Sequence, residues 1–244
     1  MKKLHHKLAD LFGYDLIRKK KSHHTFDLHL QKIIENNLIT TIIDVGANKG
    51  QFALRLRQLG YRGKIISFEP VYSAYLQVRE LAEKDSAWEV HNYAIGNIEG
   101  TLELNVTVDS TDLSSFLQPN AFSQVYYKQK VASIETQQAE VHLLKNFIKD
   151  LTNESVLLKT DTQGFDLEVL KGAEHYLAEL IKVVVIELSF KPIYENMTTG
   201  LEMMHFLKEH HFNPSGLFTV SRDKKTYELI EMDGIFLNQR YIQT

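Results

Sequence analysis

Ile42-Ile43-Asp44-Val45-Gly46-Ala47-Asn48-Lys49-Gly50-Gln51-Phe52, answered by Ile65-Ile66-Ser67-Phe68-Glu69-Pro70, decides the fold. An apolar run ending in a carboxylate, a glycine-bearing turn, an amphipathic segment and a second apolar run ending in an acid describe the first βαβ unit of a nucleotide-binding sheet. Gly46 and Gly50 let the backbone turn sharply and approach a ligand, while the amides opening a helix at Gln51 face the same crevice. Glu69 follows the turn by about 20 residues, where an acid at the end of the second strand accepts both hydroxyls of a ribose.

The turn separates the cofactors that such a unit could hold. A nicotinamide site wants Gly-x-Gly-x-x-Gly, so that a pyrophosphate rests on bare backbone. Here the spacing is Gly-x-x-x-Gly directly after Asp44, a carboxylate that repels a pyrophosphate and suits an ammonium group, directly or through water. S-adenosylmethionine (SAM) combines an ammonium, a sulfonium and a ribose. Either acid alone would fit a turn cap or a solvated strand end; the pair around one glycine turn favours SAM.

The remainder of the chain suits an enzyme-sized α/β protein. Its 244 residues, 43% hydrophobic, can bury a large core in one domain. A formal net charge of −3 argues against a protein built to hold nucleic acid. There are no cysteines, hence no disulfide or thiolate chemistry. Met1-Lys2-Lys3-Leu4-His5-His6 lacks the apolar core of a secretory signal and no run is long enough to cross a bilayer, so a cytoplasmic protein is expected.

Residues 1–38 read as a cover of short amphipathic helices on a main domain spanning 39–244. Arg18-Lys19-Lys20-Lys21 offers a weak contact to an anionic membrane or glycan surface, although such runs are usually solvated. His5, His6, His23, His24 and His29 lack neighbouring acids at ligand spacing, and no metal site is assigned.

Trp88 to Ile95 reads as a third strand, followed by a β-hairpin insertion that begins with the alternation Leu102, Leu104, Val106, Val108. The polar stretch from Asp109 to Asn120 is expected to wall the substrate. Val156-Leu157-Leu158-Lys159-Thr160-Asp161 and Val183-Val184-Val185-Ile186-Glu187 are further strands, with a helix from Asp166 through Leu180 between them. Thr198 or Thr199 caps a later helix, and an antiparallel pair closes the sheet edge. Asp44, Glu69, Asp161 and Glu187 therefore converge on the rim where open α/β sheets bind ligands.

On that rim Asp161 is the first choice for a base that takes a proton from a hydroxyl acceptor, and Glu187 the second. Lys159, two residues before Asp161, projects to the same side; it would keep Asp161 ionised, bind the acceptor, or merely pair with Asp161 to fix the loop. A metal bridging Asp161 and Glu187 lacks a third ligand.

The blocks Asp44 to Phe52, Ser67-Phe68-Glu69-Pro70, Asn92-Tyr93-Ala94-Ile95-Gly96, Leu158 to Gly164, Leu170-Lys171-Gly172-Ala173 and Glu187-Leu188-Ser189 resemble, in the same order, the FkbM family of SAM-dependent methyltransferases across residues 40–237. The resemblance implies a class I methyltransferase (Rossmann-like) fold that methylates hydroxyl oxygens, with sugars and macrolide-type natural products among the family's acceptors. It places Asp44, Gly46, Asn48 and Gly50 along the methionine part of the cofactor, Glu69 on its ribose, Asn92 and Ala94 near its adenine, and Asp161 near the transfer site. The chain departs from many relatives in having Gln138-Ala139-Glu140 where they carry an Arg-Leu-Asp-like element, and in lacking an acid after the third strand.

The expected acceptor is a small molecule, glycan or glycolipid, with Phe116, Phe190 and Tyr194 available to stack beneath a sugar ring. The competing readings are an RNA base methyltransferase, which would need a basic groove, and a SAM-binding module without catalysis.

Overall fold

The computed structural model describes residues 11–12, 25–107, 111–127, 133–151 and 154–241. In chain order the elements are α1 (Phe26–Asn36), β1 (Thr41–Val45), α2 (Gln51–Gln58), β2 (Lys64–Phe68), α3 (Tyr72–Ala82), β3 (Trp88–His91), β4 (Ala94–Gly96), β5 (Gly100–Thr107), α4 (Ala121–Tyr126), β6 (Ile134–Leu143), α5 (Lys145–Ile148), β7 (Val156–Thr160), α6 (Asp166–Gly172), α7 (Glu174–Glu179), β8 (Ile181–Ser189), α8 (Gly200–Glu209), β9 (Phe212–Arg222) and β10 (Leu229–Asn238).

Seven strands form the central sheet in the order β3-β2-β1-β7-β8-β10-β9. The first five in that order run parallel, and β10 lies antiparallel to both its neighbours. The strand order reverses between β1 and β7, so the ligand crevice of the sheet is expected beyond their carboxyl ends.

Strand periodicity explains the layering. Ile42, Ile65, Leu157, Val183 and Val185 face one side, where they meet Leu30, Ile33 and Ile34 of α1, Ala53 and Leu56 of α2 and Val78 of α3. Their neighbours Ile43, Ile66, Leu158, Val184 and Ile186 face the other, against Val169 and Leu170 of α6, Leu177 of α7 and Met203 and Leu207 of α8. Continuous apolar runs are what a strand buried on both faces requires.

The third strand is shorter than expected. The chain leaves the central sheet after His91, where the Asn92 side chain donates to the Glu69 and Pro70 carbonyls at 2.9 and 3.2 Å. It then enters a second sheet of order β4-β6-β5, so the antiparallel β5–β6 pair is joined by β4 rather than standing alone. The helix from Asp166 breaks at Ala173 into α6 and α7. Thr199 caps α8 in a capping box with Glu202, and β10 with β9 closes the edge as an antiparallel pair.

From the N-terminal cover, α1 packs on the sheet, and His29 lies 2.9 Å from the Ser215 hydroxyl. Arg18 to Lys21 and His5, His6, His23 and His24 lie outside the described residues. Among the described residues no helix is long and apolar enough to cross a membrane.

Candidate active site

The glycine turn after β1 is shaped by close approach of two strands. Gly46 has φ +75°, and a Cβ there would lie 2.0 Å from the Asp161 carbonyl oxygen, which only glycine avoids. Gly50, φ +83°, precedes α2 with its bare Cα turned to Trp88 and Val78; it shapes the turn from behind and lines neither cavity described below.

Beyond β1, β2 and β4 lies a first cavity, lined among others by Gly46, Asn48, Glu69, Ala94, Asp161 and Thr162. Phe68, Tyr93, Ile95 and Phe165 give it apolar walls, and Thr111, Asp112, Ser114 and Phe116 close it from the loop expected to carry specificity. The Thr111 hydroxyl donates to Asn48 Oδ1 at 2.8 Å and ties that loop to the glycine turn.

Glu69 is buried, and its two carboxylate oxygens accept from the backbone amides of Asn48 (2.6 Å) and Val71 (2.8 Å). Burial outweighs those hydrogen bonds and pushes its pKa up to about 7. Each oxygen keeps a lone pair, so the carboxylate is oriented but not exhausted as an acceptor. An acid fixed toward a cavity and apolar walls fit the ribose and adenine of SAM. Ala94 lies in this wall, whereas Asn92 turns its amide back onto the main chain and does not.

A second cavity adjoins the first and shares Gly46, Asn48, Asp112 and Asp161 with it. Phe26, Phe52 and Arg55 wall it on the helix side, and Lys159, Glu187 and Asp233 on the sheet side. Arg55 is committed to Asp27 and packs over the Phe26 ring.

Two rows of side chains cross the sheet beneath this cavity. In the inner row Ser67, Asp44 and Lys159 are register neighbours on β2, β1 and β7. Asp44 is fully buried; the Lys159 ammonium lies 3.0 Å from its Oδ1, donates to the Gly46 carbonyl at 2.8 Å, and is 3.8 Å from Asp161. Burial alone would lower the Lys159 pKa, but the carboxylates of Asp44 and Asp161 outweigh it and hold the pKa above the ordinary lysine value. Lys159 is thus chiefly the partner of Asp44, and it stands between that carboxylate and the cavity.

The outer row is acidic. Asp233 on β10 sits directly opposite Glu187 on β8, and Asp161 follows the end of β7 beside them. Burial, then the charges of Asp161, Glu231 and Asp233, raise the Glu187 pKa well above the carboxylate range. Burial and Asp161 push Asp233 up to about 6 against the pull of Arg55 and Lys159. Asp161 is the more open of the three, with 41% of its side chain exposed, and accepts from Gln163 Nε2 at 3.1 Å. Among the described residues no group of three or more His, Cys, Asp or Glu side chains could hold a metal ion.

Asp161, Lys159 and Glu187 are therefore brought together, and Glu69, Gly46, Asn48 and Ala94 share the adjoining cavity. Asp233 and Arg55 join them unforeseen, and Asp112 comes from the stretch expected to wall the substrate; an acid inside the otherwise apolar Met232 to Leu237 run was the available signal for Asp233. Of the three aromatics, Phe116 reaches the first cavity, but Phe190 packs on the core and Tyr194 is buried, both because burial of apolar surface outcompetes display at a cavity mouth. Gln138-Ala139-Glu140 lies on β6 and lines neither cavity.

The Methyltransferase FkbM domain matches residues 44–214, well over half of the chain. Methyltransferase 1 of Beauveria bassiana (strain ARSEF 2860) is 27% identical over 159 residues, covering 60% of this chain and 64% of that protein. Methyltransferase sdnD of Sordaria araneosa is 27% identical over 169 residues, covering 60% of this chain and 65% of its own length. The chain thus spans just under two thirds of these curated relatives. A solved methyltransferase FkbM from Methylobacillus flagellatus KT shares the fold with a TM-score of 0.51 at 15% identity, over 80% of this chain and 43% of that one.

Proposed function

Because the chain belongs to the FkbM methyltransferase family, we propose that it transfers a methyl group from SAM to a hydroxyl oxygen of a sugar, glycan, glycolipid or related natural product, in the cytoplasm. The observation that carries this reading is the junction of two cavities at Gly46, Asn48, Asp112 and Asp161, one shaped for a nucleoside and the other lined by carboxylates.

When bound, SAM supplies an electrophilic methyl on a sulfonium. Glu69 would hold the ribose hydroxyls, and the turn from Gly46 to Asn48 would flank the amino-acid portion. Asp161, on the wall common to both cavities, would take the proton of the acceptor hydroxyl. Lys159 keeps positive charge beside Asp161, and Asp44 holds Lys159 in place. Glu187, protonated beyond the usual carboxylate range, and Asp233, ionised above about pH 6, give the second cavity both donors and acceptors, a combination that matches the hydroxyls of a sugar. Carboxylates on this wall disfavour a polyphosphate, which supports a sugar acceptor over a nucleic acid.

Mass spectrometry of glycans and glycolipids from a host with and without the intact gene tests the reading. Loss of one methyl from a defined sugar hydroxyl is expected; methylation confined to nitrogen would contradict it. Asp161→Ala separates an enzyme from a mere binding module, since it should keep S-adenosylhomocysteine (SAH) affinity while the methyl is lost.

A further inference from the structure

A single 3₁₀ turn, Thr111–Leu113, stands where the two cavities meet. Both its ends are tied down. Thr111 donates its hydroxyl to Asn48 Oδ1 at 2.8 Å, and the Asn48 backbone amide donates to Glu69, which couples that end to the glycine turn and the nucleoside cavity. At the other end Leu113 is buried with Ile193 and Tyr194, and its carbonyl accepts from the Tyr194 hydroxyl at 2.8 Å. Just beyond, Ser115 exchanges two backbone hydrogen bonds of 2.9 Å with Asn105, and its hydroxyl donates to the Gln163 carbonyl at 2.6 Å.

Asp112 lies between these anchors, exposed to solvent and lining both cavities. With its two neighbours bound to the protein, the backbone has little freedom to carry the carboxylate away. Of the four residues common to the cavities, Gly46 and Asn48 are neutral, whereas Asp112 and Asp161 bring carboxylates from different walls. The cations of the second cavity are already engaged, Lys159 with Asp44 and Arg55 with Asp27. The junction is therefore a place of negative potential.

SAM and SAH share adenine, ribose and amino-acid portions and differ at sulfur, a cationic sulfonium in one and a neutral thioether in the other. We propose that Asp112 is a residue by which the protein tells them apart, attracting the sulfonium at the junction and giving the product no equivalent hold. This rests on the reading that places the cofactor's sulfur between the two cavities. Attraction to an exposed carboxylate is modest, but it acts on one ligand and not on the other, so it sets a ratio of affinities. A preference of that sign favours exchange of product for fresh SAM after each turnover.

The test is calorimetric titration of the full chain with SAM and, separately, with SAH. Asp112→Asn keeps the shape and removes the charge, so the ratio of the SAH to the SAM dissociation constant should fall about fivefold, chiefly through weaker SAM binding. Asp112→Glu keeps the charge and should keep most of the ratio. Raising the salt concentration should shrink the wild-type ratio more than that of Asp112→Asn. Melting temperatures check folding, and Asp112→Ser, which also removes the charge, decides should Asp112→Asn be unfolded. A ratio that stays unchanged when the charge is removed, or one lost equally in Asp112→Glu, overturns the proposal. Failure of the underlying reading would look different: the wild-type chain would bind neither compound.

Discussion

Two rows of side chains, one on β2, β1 and β7 and the other running from the end of β7 to β8 and β10, behave in opposite ways. In the inner row Asp44 is paired with Lys159 and flanked by Ser67, whose hydroxyl also receives the Trp88 indole N–H at 3.0 Å, so every charge faces an opposite or neutral partner. In the outer row three acids, Asp161, Glu187 and Asp233, stand side by side, and because direct cross-strand pairing of like charges is destabilising, the Glu187 pKa is driven up. The inner row is arranged for the stability of the fold. The outer row gives up stability at a cavity mouth, which is the pattern of groups arranged for a ligand.

The largest effect expected from this contrast is in the inner row. Lys159→Met leaves the fully buried Asp44 carboxylate without its cation and should cost about 3–5 kcal/mol of folding stability, read by chemical denaturation. Asp44→Asn in the same background should restore part of it; equal stability of wild type and single variant would erase the distinction between the rows.

Glu69 lies outside both rows and tests the nucleoside cavity. Glu69→Ala should weaken SAH binding about a hundredfold by calorimetry, the loss expected for hydrogen bonds to a charged acceptor. A smaller effect follows from its pKa of about 7. Ribose hydroxyls bind the ionised form, so SAH affinity should rise about tenfold between pH 6 and pH 8 as the free protein's Glu69 deprotonates, with protons released on binding below pH 7. A flat profile would place the ribose elsewhere.

The smallest effect belongs to the outer row and has the opposite sign from the inner one. A carboxyl whose folded pKa is raised stabilises most below its unfolded pKa and loses that stability as pH climbs through the folded value. For Asp233 the loss falls between its ordinary 3.8 and about 6. Asp233→Asn should therefore melt at the same or a slightly higher temperature than wild type at pH 8, with the advantage vanishing by pH 4. A large drop would show that the acid is held by partners after all.

The fold was legible because each parallel strand announces itself as a β-branched run, and each crossover helix shows its own period; Ile42 to Phe68 alone specifies the first βαβ unit. The rim acids were legible for the same reason, since strand ends converge by topology. What sequence could not show is lateral register. Asp44 meets Lys159 only because β1 lies beside β7, a pairing across 115 positions that no local pattern encodes. Asp233 was hidden likewise, arriving on an antiparallel strand from the far end of the chain. The break after His91 depended on the Asn92 amide reaching the Glu69 carbonyl, a tertiary contact that overrides strand propensity.

The crystal structure of the chain with SAH tests the central claim most directly. The ribose hydroxyls should lie within hydrogen-bond distance of Glu69, with the sulfur directed at the junction of Gly46 and Asp161. A nucleoside lodged away from Glu69, or a sulfur turned from the carboxylate-lined cavity, would contradict the account.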